Sequence, residues 1–230
     1  MWIDPLSWLF IIPGVIIAGL ASAYTHSAFE KYKRIGASSG LTGAQAAQRL
    51  LSSAGVFDVR IERIGGFLTD HYDPSSRILR LSPDVFDGQS LSSIGVACHE
   101  AGHALQHADS YAFLGLRSSL VPLTNFSSVA SYFVILLGFL LMSQEMILVG
   151  AVLFGVTVLF SIVTLPVEWD ASARAKRLMV SCGIVSAGER DGAAEVLNAA
   201  FMTYVASAVS SLLMLLYYLL RAGVFGGRRD

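Results

Sequence analysis

Residues 147–174 read ILVGAVLFGVTVLFSIVTLPVEWDASAR. The first 19 of them, ending at Leu165, carry no charge. At 1.5 Å per residue a helix of that length extends about 30 Å, the thickness of a bilayer's hydrocarbon core. The character then changes at once, with Glu168, Asp170 and Arg174 following closely. The stretch therefore predicts a membrane-spanning helix that emerges into a polar segment. Residues 6–24 and 201–220 are equally long and uncharged, and 121–142 is uncharged although it holds Pro122 and Asn125. Pro13 and Gly14 within 6–24 are tolerated in a membrane helix. Ala21-Ser22-Ala23 resembles a signal-peptide cleavage site, but the residues before that apolar run offer only Asp4, where a signal peptide needs positive charge.

Composition agrees with four spans. Hydrophobic residues make up 54% of the 230 and charged residues 14%, whereas a soluble domain runs near 25% charged. A formal net charge of −1 excludes a strongly basic nucleic-acid binder, so no nucleic-acid partner is expected. Two cysteines, Cys98 and Cys182, are too few for a disulfide framework. Cys98 has no neighbouring cysteine at zinc-ligand spacing and reads as a small buried apolar residue.

The spans set the domain organisation. Residues 1–24 form the first transmembrane helix, 121–165 a two-helix hairpin, and 201–230 the last transmembrane helix and tail. Between them lie a polar domain at 25–120 and a helical segment at 166–200. The hairpin turns at Ser143, Gln144 and Glu145. A hairpin returns the chain to the side it left, so both polar stretches share one face of the membrane. That face carries Lys31, Lys33, Arg34, Arg117, Arg174, Lys176 and Arg177, against Arg221, Arg228 and Arg229 on the other. By the positive-inside rule the shared face is cytoplasmic, with both termini outside.

Within 25–120, residues 41–54 predict a helix. Thr42 caps it, Gln45 completes a capping box, and Gly55 follows its end. Residues 57–61 and 77–81 alternate as short strands do, and Asp73-Pro74-Ser75-Ser76 predicts a turn before the second. A further helix starts between Ser90 and Ser93 and runs past His107.

That helix holds His99-Glu100-Ala101-Gly102-His103, which fits H-E-x-x-H. Histidines four apart share a helix face, so both imidazoles can reach one zinc at about 2.0–2.1 Å. Glu100 is turned away by about a third of a turn, beside the open position, where it can accept a proton from the attacking water. A catalytic zinc needs a third protein ligand. The candidates are His107, His71, His26, Glu168 and Asp170. His107 lies eight residues from His99, about 12 Å along a straight helix, and suits the helix end beside Asp109. Glu168 emerges from its span on the same face as His99. Ala171, Ser172 and Ala175 beyond it are small enough for close helix approach. Asp170 reads equally as the acceptor behind a zinc-bound histidine or as the partner of Arg174 four residues on.

Several segments carry a resemblance: Gly40-Leu41-Thr42-Gly43-Ala44, Leu68-Thr69-Asp70-His71-Tyr72-Asp73-Pro74, residues 97–107, and residues 165–172. Through them the chain closely resembles, over nearly its whole length, the bacterial YugP-type family of membrane zinc metallopeptidases. The resemblance implies a gluzincin-like site with one Zn2+ per chain, held by His99, His103 and Glu168, with Glu100 as base. Many gluzincins place aspartate four residues after the third ligand, where this chain has Ser172. The family's last segment reads with phenylalanine where Trp169 stands.

The expected protein is mainly α: a polytopic membrane protein with about four transmembrane helices and a small α+β zincin-like domain at the membrane surface. The expected activity is zinc-dependent endopeptidase hydrolysis of peptide or protein substrates, membrane proteins among them, in a multi-pass protein of the cell membrane that the sequence allows to be oligomeric. His71 or Tyr72 is a candidate to stabilise the oxyanion. Arg77, Ile78, Leu79, Arg80, Leu81 and Ser82 are expected to form the edge strand along which an extended peptide pairs. The rivals are an intramembrane protease, which Asp84, Asp87 and Gln89 ahead of the motif speak against, and a membrane scaffold with a structural zinc, which would have no use for Glu100.

Topology is open to direct test. Single cysteines placed at Ser39, Ser186 and Ser143 are exposed to a membrane-impermeant thiol reagent on intact cells. Only the Ser143 site is expected to react, and labelling at Ser39 or Ser186 would reverse the orientation.

Overall fold

A computed structural model describes residues 5–66 and 69–225. Asp4, Leu68, Arg228 and Arg229, used above, lie outside them. Four helices among the described residues are long and apolar enough to cross a membrane: α1 (Pro5–Lys33), α5 (Ala112–Leu140), α6 (Gln144–Ser181) and α7 (Arg190–Arg221). The other elements are α2 (Gly43–Ser53), β1 (Arg60–Arg63), β2 (His71–Asp73), β3 (Ile78–Leu81), α3 (Pro83–Phe86) and α4 (Leu91–Ala108). The protein is thus mainly helical, with one small sheet.

The chain divides into two compact units. The first comprises Met1–Ala21, Leu116–Leu165 and Thr203–Asp230. Within it α5 and α6 are joined through residues 141–143, two positions earlier than the sequence suggests. The reason is a cap: Ser143 Oγ accepts from Met146 N at 3.2 Å, so Gln144 and Glu145 are already helical. The hairpin closes at glycines. A Cβ on Gly150 would lie 2.4 Å from the Ile135 side chain, and one on Gly138 would lie 2.9 Å from Ile147 N. Small residues let membrane helices approach where lipid supplies no hydrophobic drive.

The second unit comprises Ser22–Gly115 and Pro166–Met202. Thr42 caps α2 as its sequence predicts. Thr42 Oγ1 accepts from Gln45 N at 3.2 Å, and Gln45 Oε1 accepts from Thr42 N at 3.0 Å. Gly55 follows with φ +75°, a left-handed conformation that ends the helix. The Asp73 carboxylate organises the turn into β3, accepting from the amides and hydroxyls of Ser75 and Ser76. Those bonds hold its pKa far below the usual carboxylate range. The first strand sits three residues later than predicted, because the ladder opens only at Arg60 N→Arg77 O. Leu50, Leu51, Leu79, Leu81, Ile94, Met179 and Ile184 fill the core between α2, α4, the sheet and the end of α6.

The sheet corrects one expectation. Its order is β1-β3-β2, with β3 parallel to β1 and antiparallel to β2. Arg77, Ile78, Leu79, Arg80, Leu81 and Ser82 therefore do not form an edge. Ile78, Leu79 and Arg80 are paired on both sides and Leu81 with Arg63 of β1, Arg77 O accepts from Arg60 N, and Ser82 N donates to Asp70 Oδ1. Their backbone groups are spent within the protein and leave no ladder for a peptide. The free edges belong to β1 and β2.

Leu79→Pro follows from that order. Proline removes a ladder donor from a fully buried central position. A stability loss of about 1–3 kcal/mol is expected, seen as lowered thermal unfolding. A variant that keeps wild-type stability while its Michaelis constant rises would restore the edge-strand reading.

Candidate metal centre

Helix α4 positions the motif. Ser90 caps it, its Oγ accepting from Ser93 N at 3.1 Å, and the helix continues unbroken to Ala108. His99 and His103 then stand one turn apart, with ring centroids 4.8 Å from each other. Helix α6 supplies Glu168, which is 1% exposed. Its Oε2 lies 3.2 Å from His99 Nε2 and 3.5 Å from His103 Nε2.

These distances fit a metal. Two ligand atoms on one tetrahedral zinc at about 2.0–2.1 Å stand roughly 3.3 Å apart, close to both values. The three ligand atoms all lie within 4.8 Å of one another. Two imidazole nitrogens and one carboxylate oxygen are a donor set that suits zinc. The electrostatics agree. Burial would raise the Glu168 pKa, but hydrogen bonds and charge from His103 and His99 hold it well below the usual range. Burial would lower His103, but Glu168, and to a lesser degree Glu100, raise it. The pocket thus sets one buried carboxylate against the two imidazoles.

The opposite ring nitrogens are also held. His99 Nδ1 lies 3.1 Å from Ser172 Oγ. His103 Nδ1 lies 3.0 Å from Oε1 of Gln106. Gln106 is fully buried, and its Nε2 donates to Val167 O at 2.8 Å and to Asp170 Oδ2 at 2.9 Å. Asp170 also accepts from Arg174 Nε at 2.6 Å. Of its two sequence readings, the pairing with Arg174 is direct, and the link to a histidine runs through Gln106. Gln106 has no role in the sequence reading, and its only signal is an amide three residues beyond His103, on the helix face that carries both histidines.

Several candidates lie elsewhere. Glu100 is half-buried and outside the three-atom cluster. His107 Nδ1 bonds the Tyr72 hydroxyl at 2.8 Å, so both belong to a contact between α4 and β2. His71 is exposed, its Nδ1 donating to Thr69 O at 2.7 Å. His26 is exposed on α1. Cys98 is fully buried in the apolar core, and that burial pushes its thiol pKa up.

Comparison with known proteins points to the same metal. The profile of a family described as "Putative neutral zinc metallopeptidase" matches residues 7–223. A protein of Bacillus subtilis (strain 168) named "Putative membrane protease YugP" is 46% identical over 225 residues, covering 96% of this chain and 99% of that protein. No solved structure matches the chain.

The centre depends on close contact between α4 and α6. A Cβ on Gly102 would lie 2.6 Å from Ala171 O, so alanine there forces the helices apart. Overpacking of this kind costs about 1–3 kcal/mol, which outweighs the roughly 1 kcal/mol gained in helix propensity. Gly102→Ala is expected to unfold at lower temperature and to release zinc to a chelator more readily. Unchanged stability with unchanged zinc retention would show that the helices can part without loss.

Proposed function

The chain belongs to the neutral zinc metallopeptidase family, and we propose that it is a membrane-embedded zinc endopeptidase with Glu100 as its general base. The observation that carries this reading is the buried Glu168 facing the Nε2 atoms of both motif histidines, with Glu100 adjacent but outside the cluster. His99, His103 and Glu168 would hold the ion. When bound, zinc supplies Lewis acidity, polarising the scissile carbonyl and acidifying the attacking water.

The chain's own residues do the rest. Glu100 follows His99 and is rotated about 100° from it around α4, so its carboxylate would stand beside the ion and not among the ligands. It accepts the proton of the attacking water as the oxygen bonds to the carbonyl carbon. It then gives that proton to the amide nitrogen as the C–N bond breaks. Two neutral imidazoles and one carboxylate leave a net positive charge on a divalent ion, which favours the developing oxyanion.

A structural zinc in a scaffold is the rival. Such sites are closed by four protein ligands. Among the described residues no fourth histidine, cysteine, aspartate or glutamate joins the three, and the nearest spare histidine on α4, His107, is engaged by Tyr72. The substrates we propose are peptides or proteins, membrane proteins included. The basic residues flanking the spans support a cytoplasmic active site.

Zinc content and peptidase activity measured in parallel test the assignments. Glu100→Gln is expected to retain zinc and lose about 10²–10⁴-fold in turnover. Glu168→Ala is expected to lose zinc and activity together, with partial rescue by excess zinc, whereas His107→Ala retains zinc. Full activity in Glu100→Gln would remove the general base, and normal zinc affinity in Glu168→Ala would remove the third ligand.

A further inference from the structure

We propose that Gln106 is a positioning residue of the metal centre: its amide fixes which nitrogen of His103 faces the metal and clamps α6 on both sides of Glu168. The proposal rests on the zinc-peptidase reading of the site and adds to it a residue that the H-E-x-x-H pattern does not contain.

The argument begins with hydrogen-bond capacity. A glutamine amide has two N–H donors on nitrogen and an acceptor oxygen. Buried without partners, these groups would cost about 1–3 kcal/mol. In Gln106 both donors are used, one on Val167 O at 2.8 Å and one on Asp170 Oδ2 at 2.9 Å. Neither partner can donate: one is a backbone carbonyl, the other a carboxylate paired with Arg174. A flipped amide would set oxygen against oxygen at both contacts. The orientation is therefore dictated by the partners.

With the nitrogen committed, Oε1 must be the atom facing His103 Nδ1 at 3.0 Å. An oxygen there accepts only, so Nδ1 must carry the hydrogen. His103 Nε2 is then the atom left with a lone pair for the ion, and it is the one on the Glu168 side. Ser172 does not impose the same choice on His99, because a hydroxyl both donates and accepts. The two ligands are thus held differently, and Gln106 is the partner that selects a tautomer.

The same amide ties two helices. Val167 and Asp170 bracket Glu168 along α6, one residue before it and two after. Asp170 is gripped by Arg174, and Arg174 pairs with Asp109, the residue that caps the end of α4. A closed circuit results, from α4 through Gln106, Asp170, Arg174 and Asp109 back to α4. It fixes the distance between the histidines and the carboxylate. Its effect is on zinc affinity, with chemistry affected only through it.

The experiment uses the full chain in detergent and measures the zinc dissociation constant by competition with a chelator, with circular dichroism as the control for fold. Gln106→Met keeps the volume and removes every hydrogen bond. It is expected to weaken zinc binding about 10–100-fold, the usual range for a partner of a metal-bound histidine. Gln106→Glu keeps the acceptor for His103 but sets a carboxylate against Asp170, and is expected to bind as weakly. Gln106→Glu combined with Asp170→Asn restores a donor–acceptor pair at residue 170 while leaving oxygen against Val167 O, and is expected to recover part of the affinity, at least about threefold over Gln106→Glu alone. A residue that only fills space would show neither the loss in Gln106→Met nor the recovery in the double variant. Affinity in Gln106→Met within about threefold of wild type overturns the proposal. Should Gln106→Met fail to fold, a double variant no tighter than Gln106→Glu overturns it instead. Wild-type protein that binds no zinc overturns the zinc reading itself, and this proposal with it.

Discussion

A carboxylate enclosed by apolar side chains loses several kcal/mol of hydration, and opposite charge or donors must offset that loss. Glu168 is such a group, 1% exposed, with fully buried Val167 and Ala171 nearby on α6. Helix α6 can hold it there only if another element brings compensation. Helix α4 does so with His99 and His103, and it reaches them across because residue 102 has no side chain. The other features of the unit serve that approach. Ser90 starts α4, Ala175 and Met179 pack against its neighbours in the core, and Gln106 bonds to α6 beside the carboxylate.

One helix carries two environments. Helix α6 runs from Gln144 to Ser181, and the span read from the sequence ends at Leu165, three residues before Glu168. Pro166 stands between them and cannot donate to the carbonyl four residues earlier, yet the helix continues through it. The Glu168 backbone belongs to a continuous helix and not to a loop, which holds its carboxylate in a defined place. The same economy shows in α4, where one 18-residue helix carries both histidines, Glu100 and Gln106.

Legibility followed the range of the interactions. The cap at Thr42, the turn at Asp73, the start of α4 near Ser90 and the four apolar helices are set by neighbours within a few residues or by hydropathy along one segment. Each could be read from residue order alone. Strand order could not. Alternation marks residues 78–81 as a strand, but only contacts formed after folding decide that β1 and β2 flank it. The prediction of an edge failed because order along the chain was taken for order in space. Glu168 was readable as a candidate because the hairpin argument put it on the same face as His99. Gln106 was not, because a lone glutamine on a helix is ordinary, and its meaning comes from Val167 and Asp170, some sixty residues away.

The choice of a neutral amide behind His103 has an electrostatic consequence. A carboxylate placed directly on Nδ1 would push negative charge through the ring and reduce the electron demand of a bound cation. Here Asp170 is separated from the ring by Gln106, and its charge is balanced locally by Arg174 at 2.6 Å. In the proposed zinc site Glu168 would be the only anionic ligand, and a divalent ion held there would keep part of its charge. His99 is treated the same way, with a neutral hydroxyl from Ser172 where a carboxylate would have donated more strongly. Both histidines are thus oriented by neutral partners, His103 by the Gln106 amide and His99 by the Ser172 hydroxyl.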